Sequence, residues 1–322
     1  ACIGFYLDFK QLRTFLAIVE TGNVTRAAQL LNIVQPAVSR QLRLLEEDVG
    51  RALFDRTRRG MQLTTSGKTL VEYARRALNE LDRARAEINP QQVGVGGIVT
   101  IGLLPSTSDL LAGPLVSRIT SRYPGIKIRI AVGYAGTLQA WLESGEVDVA
   151  LLYEPNSSQT ILLQPLLEES MCAVGLPKDA LSLSKTFSLR DLAGKPLILP
   201  SAPHGIRMLV EHACMQLGVQ LSVVAETNAM SVQKSLVLGG HGVTILPLIA
   251  VAGEVAAGIL SAARLADPII TRKLALASSA NRPLSSPAQH AVTELIECMR
   301  EAIKFKQWPE ASWKYHAEQL DG

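Results

Sequence analysis

The sequence predicts a mainly α-helical winged module carried on one long helix, followed by an α/β domain of two subdomains. Three observations predict it. Apolar residues recur at helical spacing as far as Gly50 and then give way to a short arginine-rich hairpin. From Gly67 an amphipathic run continues to Ile88 without another glycine or a proline. Beyond Gly97, short β-branched runs alternate with helical stretches, which demands a mostly parallel sheet covered by helices.

Within the module, Leu12, Phe15, Leu16 and Val19 follow the i, i+3, i+4, i+7 spacing of a first helix. Ala27, Ala28, Leu30 and Leu31 turn inward on a second, and its two alanines let a third helix cross closely. Asn23 or Thr25 is available to cap this second helix, because a short polar side chain accepts from the free N–H groups of a first turn. The turn falls at Asn32-Ile33, and the third helix opens at Gln35-Pro36, where the missing N–H of proline is not needed. Gly50 ends that helix as a left-handed cap. Val38, Leu42, Leu45 and Val49 keep its core spacing, while Gln35, Ser39, Arg40 and Arg43 fall on the other side.

A helix inserted in the major groove of DNA needs this exposed set: amides and hydroxyls for base edges, Arg for guanine or phosphate. A surface helix with solvated charges is the competing reading of these residues alone. The hairpin shifts the balance. Phe54–Arg56 and Met61–Leu63 read as two strands around Thr57-Arg58-Arg59-Gly60, which puts three guanidinium groups where phosphates or a minor groove would lie. Ser39, Arg40 and Arg43 are expected to face the groove, with Gln35 and Pro36 at the helix start. Arg56, Arg58 and Arg59 are expected to grip the backbone, giving affinity without sequence information. Thr25 and Arg26 are placed to meet phosphate, with a purely capping Thr25 as the alternative.

The stretches FKQLRTFLAIVETGNVTRAAQLL, VQPAVSRQLRLLEEDVG and LFDRTRRGMQLTTSG match, in order and spacing, the DNA-binding domain of LysR-type transcriptional regulators. The chain resembles that family over nearly its whole length. The resemblance places the winged helix–turn–helix at residues 8–66, a dimerisation helix at 67–89 and a hinge at 90–97. It places an effector-binding domain at 98–306, and a tail at 307–322. Ala1–Leu7 precede the usual family start and are expected to be a leader outside the fold.

Composition agrees. The 322 residues, 48% hydrophobic with a net charge of +3, describe a folded chain long enough for two or three cores. From Asp8 to Ile88 there are 14 Lys and Arg against 10 Asp and Glu; from Asn89 onward there are 18 against 19. The basic excess sits with the expected DNA-binding part. No apolar run is long enough for a membrane span, and no secretory signal precedes the module, so the chain is expected in the cytoplasm. Cys2, Cys172, Cys214 and Cys298 lack zinc-ligand spacing and read as reduced thiols. Some members of the resembled family sense oxidants through a cysteine pair, for which Cys172 and Cys214 are the candidates.

On the long helix, Leu70, Ala74, Ala77, Leu81, Ala84 and Ile88 are spaced as the a/d seam of a coiled coil. The helix either packs on its own domain or pairs with a second copy. Pairing is preferred, because a winged module alone offers it little surface, and two-fold symmetry suits an inverted-repeat operator in double-stranded DNA. Asn89-Pro90 ends it, and the glycines at 94, 96 and 97 make the hinge.

In the α/β part, strands are expected at Ile98–Leu104, 126–132, 147–152, 170–176, 196–200, 221–226, 242–247 and 270–279, with intervening helices and a last helix from Ser286 to Lys306. The whole is similar to periplasmic solute-binding proteins, with subdomain I at 98–162 and 269–306, and subdomain II at 163–268. The chain is expected to cross between them near Leu152–Pro165 and Leu265–Ile270. Ligands of open α/β sheets bind beyond the carboxyl ends of strands. The resemblance then makes Ser106, Thr107, Thr137, His204 and Thr227 the effector-contact candidates; helix capping and turn closure are their ordinary alternatives. It also implies a small-molecule effector such as an organic acid, a homodimer assembling into a homotetramer, and contact with RNA polymerase. The sensor segment and Lys306-Gln307-Trp308 further resemble the nitrogen-assimilation control branch.

An enzyme is not expected: GxSxG, P-loop, HExxH and a complete dinucleotide fingerprint are missing from the sequence, and no cofactor or metal site is predicted. His204 and His212 are too far apart in sequence to form an obvious metal pair on one helical face. A solute-binding protein would explain the α/β part alone, and an effector-independent regulator remains an alternative.

Overall fold

The computed structural model describes residues 8–57, 60–88, 95–153 and 159–314. The chain divides into two compact units, the first up to Gly97 with the short stretch Ser144–Glu146, the second comprising Ile98–Glu143 and the residues from Val147 onward. Among the described residues no helix is long and apolar enough to cross a membrane.

The first unit begins with α1 (Phe9–Thr21), α2 (Val24–Leu31) and α3 (Gln35–Val49). The choice left open for the α2 cap is decided by geometry. Asn23 Oδ1 accepts from the amides of Thr25 (2.8 Å) and Arg26 (3.2 Å), so the Thr25 hydroxyl stays exposed. Asn23→Ala is therefore expected to cost the module ~1 kcal/mol, read by thermal unfolding followed in the far-UV. Gly50 closes α3 with a left-handed φ of 69°.

Strands β1 (Phe54–Thr57) and β2 (Gly60–Leu63) form the wing, paired in the register Phe54↔Leu63 and Arg56↔Met61. Two contacts weld it to the helices. Glu46 Oε1 of α3 accepts from the amides of Leu53 (2.8 Å) and Phe54 (3.4 Å), and the Met61 amide donates to Gly22 O at 3.0 Å. Phe15 and Phe54 meet in the core at 5.4 Å between ring centroids.

Helix α4 (Thr65–Ile88) starts a turn earlier than the periodicity suggests. Thr64 Oγ1 accepts from the Gly67 amide at 3.0 Å, and that glycine sits inside the helix because a Cβ there would lie 2.1 Å from Leu53 O. The expected seam splits in two. Leu70, Ala74 and Ala77 pack against the module's own core, whereas Leu81, Ala84 and Ile88 are exposed.

The second unit opens with β3 (Gly97–Leu103), α5 (Pro105–Arg122), β4 (Ile126–Val132), α6 (Ala135–Ser144) and β5 (Val149–Tyr153). A long β6 (Ile161–Gly175) follows. Then come β7 (Thr186–Ser188), β8 (Pro196–Leu199), α7 (Gly205–Leu217), β9 (Ser222–Glu226), α8 (Met230–Leu238), β10 (Val243–Pro247), α9 (Ala252–Ala256) and β11 (Ser261–Ala266). The chain returns through β12 (Thr271–Ser279), α10 (Ser286–Lys304) and β13 (Ala311–Trp313).

Strand order β4-β3-β5-β12-β6 makes one lobe and β6-β10-β8-β9 the other, with β6 shared. Ile161–Ser170 of β6 pair with β12, Met171–Val174 pair with β10, and Cys172–Gly175 pair with β11. The change of lobe thus lies at Ser170/Met171, beyond the boundary expected at 162/163. The tail expected from residue 307 also begins as ordered structure: Trp308 is 1% exposed, and β13 pairs with Leu167–Glu169 of β6.

Candidate functional site

The two faces of α3 separate as the spacing predicts. Val38, Leu42 and Leu45 are buried, whereas Gln35, Pro36, Arg40 and Arg43 are exposed and Ser39 is half-buried. Arg43 lies 3.4 Å from Glu47 one turn on, an exposed pair too weak to hold it from a phosphate. Thr25 and Arg26 are exposed on the first turn of α2. Arg56 belongs to β1 by its backbone; Arg58 and Arg59 lie outside the described residues.

Between the lobes of the second unit lies a small, partly open cavity with about 20 Å³ of free space. Of the five effector candidates, it gathers two. Ser106 and His204 line it, together with Tyr134, Tyr153, Gln233 and Arg272 among others. Thr107 is fully buried and its hydroxyl donates to Leu104 O at 3.0 Å, closing the first turn of α5. Thr137 is exposed on α6, and Thr227 Oγ1 accepts from the Ala229 amide at 3.2 Å, a turn-closing role. Neither is in the cavity lining. Pro105 presets a helical start and α6 begins at Ala135, so Thr107 and Thr137 belong to first helical turns, while Thr227 closes the turn before α8.

The cavity floor is ionic and buried. Glu169 and Arg272 are register partners on β6 and β12, 1% and 3% exposed, and ion-paired through Nε and Nη2 of the guanidinium. Nη2 also donates to Ser106 Oγ at 3.0 Å, and Ser106 shares a 2.8 Å hydrogen bond with the Tyr153 hydroxyl. The guanidinium lies 3.7 Å from the Tyr153 ring centroid. Trp308 Nε1 donates to the second oxygen of Glu169 at 3.0 Å. Burial pushes the Tyr153 phenol up to about 12, against the opposing pull of Arg272, so it stays neutral.

His204 caps α7 by accepting from the Ile206 amide at Nδ1 (3.2 Å). Burial, and then the Arg272 charge, hold it below the usual imidazole range. Tyr134 closes the cleft from the first lobe: its hydroxyl accepts from the Met230 amide of the second lobe at 2.7 Å, and its ring meets His204 edge-on at 5.3 Å. Cys172 and Cys214 belong to different core clusters. Burial raises both thiols, Cys172 to about 12.

Two family descriptions match along the chain. "Bacterial regulatory helix-turn-helix protein, lysR family" covers residues 9–68, and "LysR substrate binding domain" covers residues 92–303. The chain belongs to the LysR family. It is a LysR-type transcriptional regulator with a helix–turn–helix DNA-binding domain and an effector-binding domain. Among LysR relatives, it is 33% identical to the HTH-type transcriptional regulator BbuR of Bordetella bronchiseptica, over 81% of this chain and 80% of that one. It is 31% identical to the nitrogen assimilation regulatory protein nac of Klebsiella aerogenes, over 90% and 94%. This agrees with the likeness to the nitrogen-assimilation branch seen in the sequence. Full-length CbnR complexed with its target DNA has the same LysR fold, with a TM-score of 0.66 at 21% identity over 92% of this chain and all of that one.

Proposed function

We propose that this LysR-type regulator binds an inverted-repeat promoter site in the cytoplasm as a homo-oligomer and responds to a small molecule held between its sensor lobes. The observation that carries the DNA reading is α3, with one face buried and Gln35, Pro36, Ser39, Arg40 and Arg43 on the other. Arg56, Arg58 and Arg59 of the wing supply phosphate contacts, and Thr25 and Arg26 add theirs from α2. The exposed run Leu81, Ala84 and Ile88 supports pairing of two chains along α4, and two such dimers would form the tetramer. Contact with RNA polymerase completes the output. The presence of Ser106 and His204 in the cavity lining supports their part in effector contact.

Selection of bound duplexes from a random pool tests the reading: two half-sites related by a dyad and spaced by helical turns are expected. A single unpaired half-site as the consensus would overturn the oligomeric part. Arg58→Ala is expected to weaken every duplex similarly and to lower the log–log salt slope by ~1.8, the value for two phosphate contacts, one from each copy on the dyad. A loss confined to one operator base would contradict that role.

A regulator acting without effector is the second reading. The latch between Tyr134 and Met230 favours it, since it closes the cleft with the protein's own side chain. An effector can shift such an equilibrium only by its differential affinity for the two arrangements.

A further inference from the structure

We infer that Glu169 is a built-in counter-ion that makes the sensor cleft select uncharged ligands over anions. The inference rests on the reading of this cleft as the effector site, and it departs from the organic acid that the family resemblance suggests.

Arg272 is the guanidinium of the cavity lining, yet its charge is already spent inside the fold. Glu169 Oε1 takes Nε and Nη2, and Tyr153 covers the guanidinium face at 3.7 Å. Trp308 fixes the other oxygen of Glu169 at 3.0 Å, which makes it the positioning residue of the pair. With both partners at most 3% exposed, a carboxylate ligand entering the floor would lose its hydration, meet a second carboxylate nearby, and find no net positive charge. The other basic group of the lining, His204, is committed at Nδ1 to the Ile206 amide and is neutral near pH 7. What remains for a ligand is an apolar wall from Pro105, Tyr134, Ile206, Met230 and Leu246, with two neutral polar groups: Ser106, already bonded to Arg272 and Tyr153, and Gln233, bonded through Nε2 to Thr244. That combination suits a small, largely apolar molecule bearing an amide, carbonyl or hydroxyl group.

The test uses the full chain and matched probes: benzamide against benzoate, and isobutyramide against isobutyrate, each at millimolar concentration with Tm as the readout. The wild type is expected to gain ~2 °C or more with an amide and nothing with its acid. Glu169→Gln leaves Arg272 uncompensated and is expected to reverse the preference, responding to the acids. Trp308→Phe keeps the pair and its neutral sum, so it is expected to keep the wild-type preference; if Glu169→Gln does not fold, the wild-type comparison of amide with acid still decides. Acids stabilising the wild type as much as amides, or Glu169→Gln gaining no acid response, overturns the inference. Met230→Trp fills the cavity and should abolish every shift. A shift that survives Met230→Trp arises outside the cleft, and removes the site reading together with the inference.

Discussion

Glu169→Ala is expected to destabilise the second unit by ~3–5 kcal/mol, the cost of leaving one buried charge without its partner. Arg272, 3% exposed, would keep its place under Tyr153 with no anion beside it, and the Trp308 N–H would lose its acceptor. The pair itself is worth far less than its rupture. Desolvation of both ions offsets most of their attraction, so the double variant Glu169→Met with Arg272→Met is expected within ~1 kcal/mol of wild type or above it. Urea unfolding followed by tryptophan fluorescence reads this cleanly, because Trp141, Trp308 and Trp313 all belong to the second unit. A single variant as stable as wild type would mean that water reaches the guanidinium, contrary to its burial. A double variant as damaged as the single would mean that packing, not charge, holds the floor.

The winged module was largely legible because its information is local. The 3.6-residue spacing of Leu12, Phe15 and Val19, the proline at position 36 and the glycine at position 50 each act within a turn or two of themselves. Thr137 shows the limit of local reading for element boundaries. A start at Ala135 makes it helical and exposed, and no capping signal at Tyr134 announces that start. Tyr134 itself carries the cleft contact.

β6 was harder. Pro165 reads as a strand breaker, yet the strand runs through it, because a register shift between Leu274 and Ala275 sets a bulge beside the residue that cannot donate. The floor pair had a faint signal. Arg272 alternates with Ile270 and Leu274, and Glu169 with Leu167 and Met171, so both charges occupy inward positions of apolar strands. That they meet depends on a register between strands separated by 103 residues of sequence, and nothing in either strand encodes it. Trp308 reads as part of a tail for the same reason: its partner is on a strand 139 residues earlier.

Phe15→Ala is expected to cost the winged module ~3–5 kcal/mol through the lost apolar burial and the cavity left behind. Phe15 is fully buried and tilted against Phe54, so its ring joins α1 to the first wing strand. A small domain holds only ~5–15 kcal/mol in total, so this one side chain carries a large share of the module's stability. The wing and α3 would lose their fixed relation, since Glu46 ties α3 to the residues around Phe54. DNA affinity should fall steeply, and the far-UV signal should show an early loss of helix. No tryptophan lies in this unit, so the fluorescence transition of the sensor should stay where it is. An equal shift in that transition would show the two units unfolding as one cooperative block. DNA affinity at the wild-type level would show that α3 docks without the core behind it, and would leave the buried face of the helix without the function assigned to it.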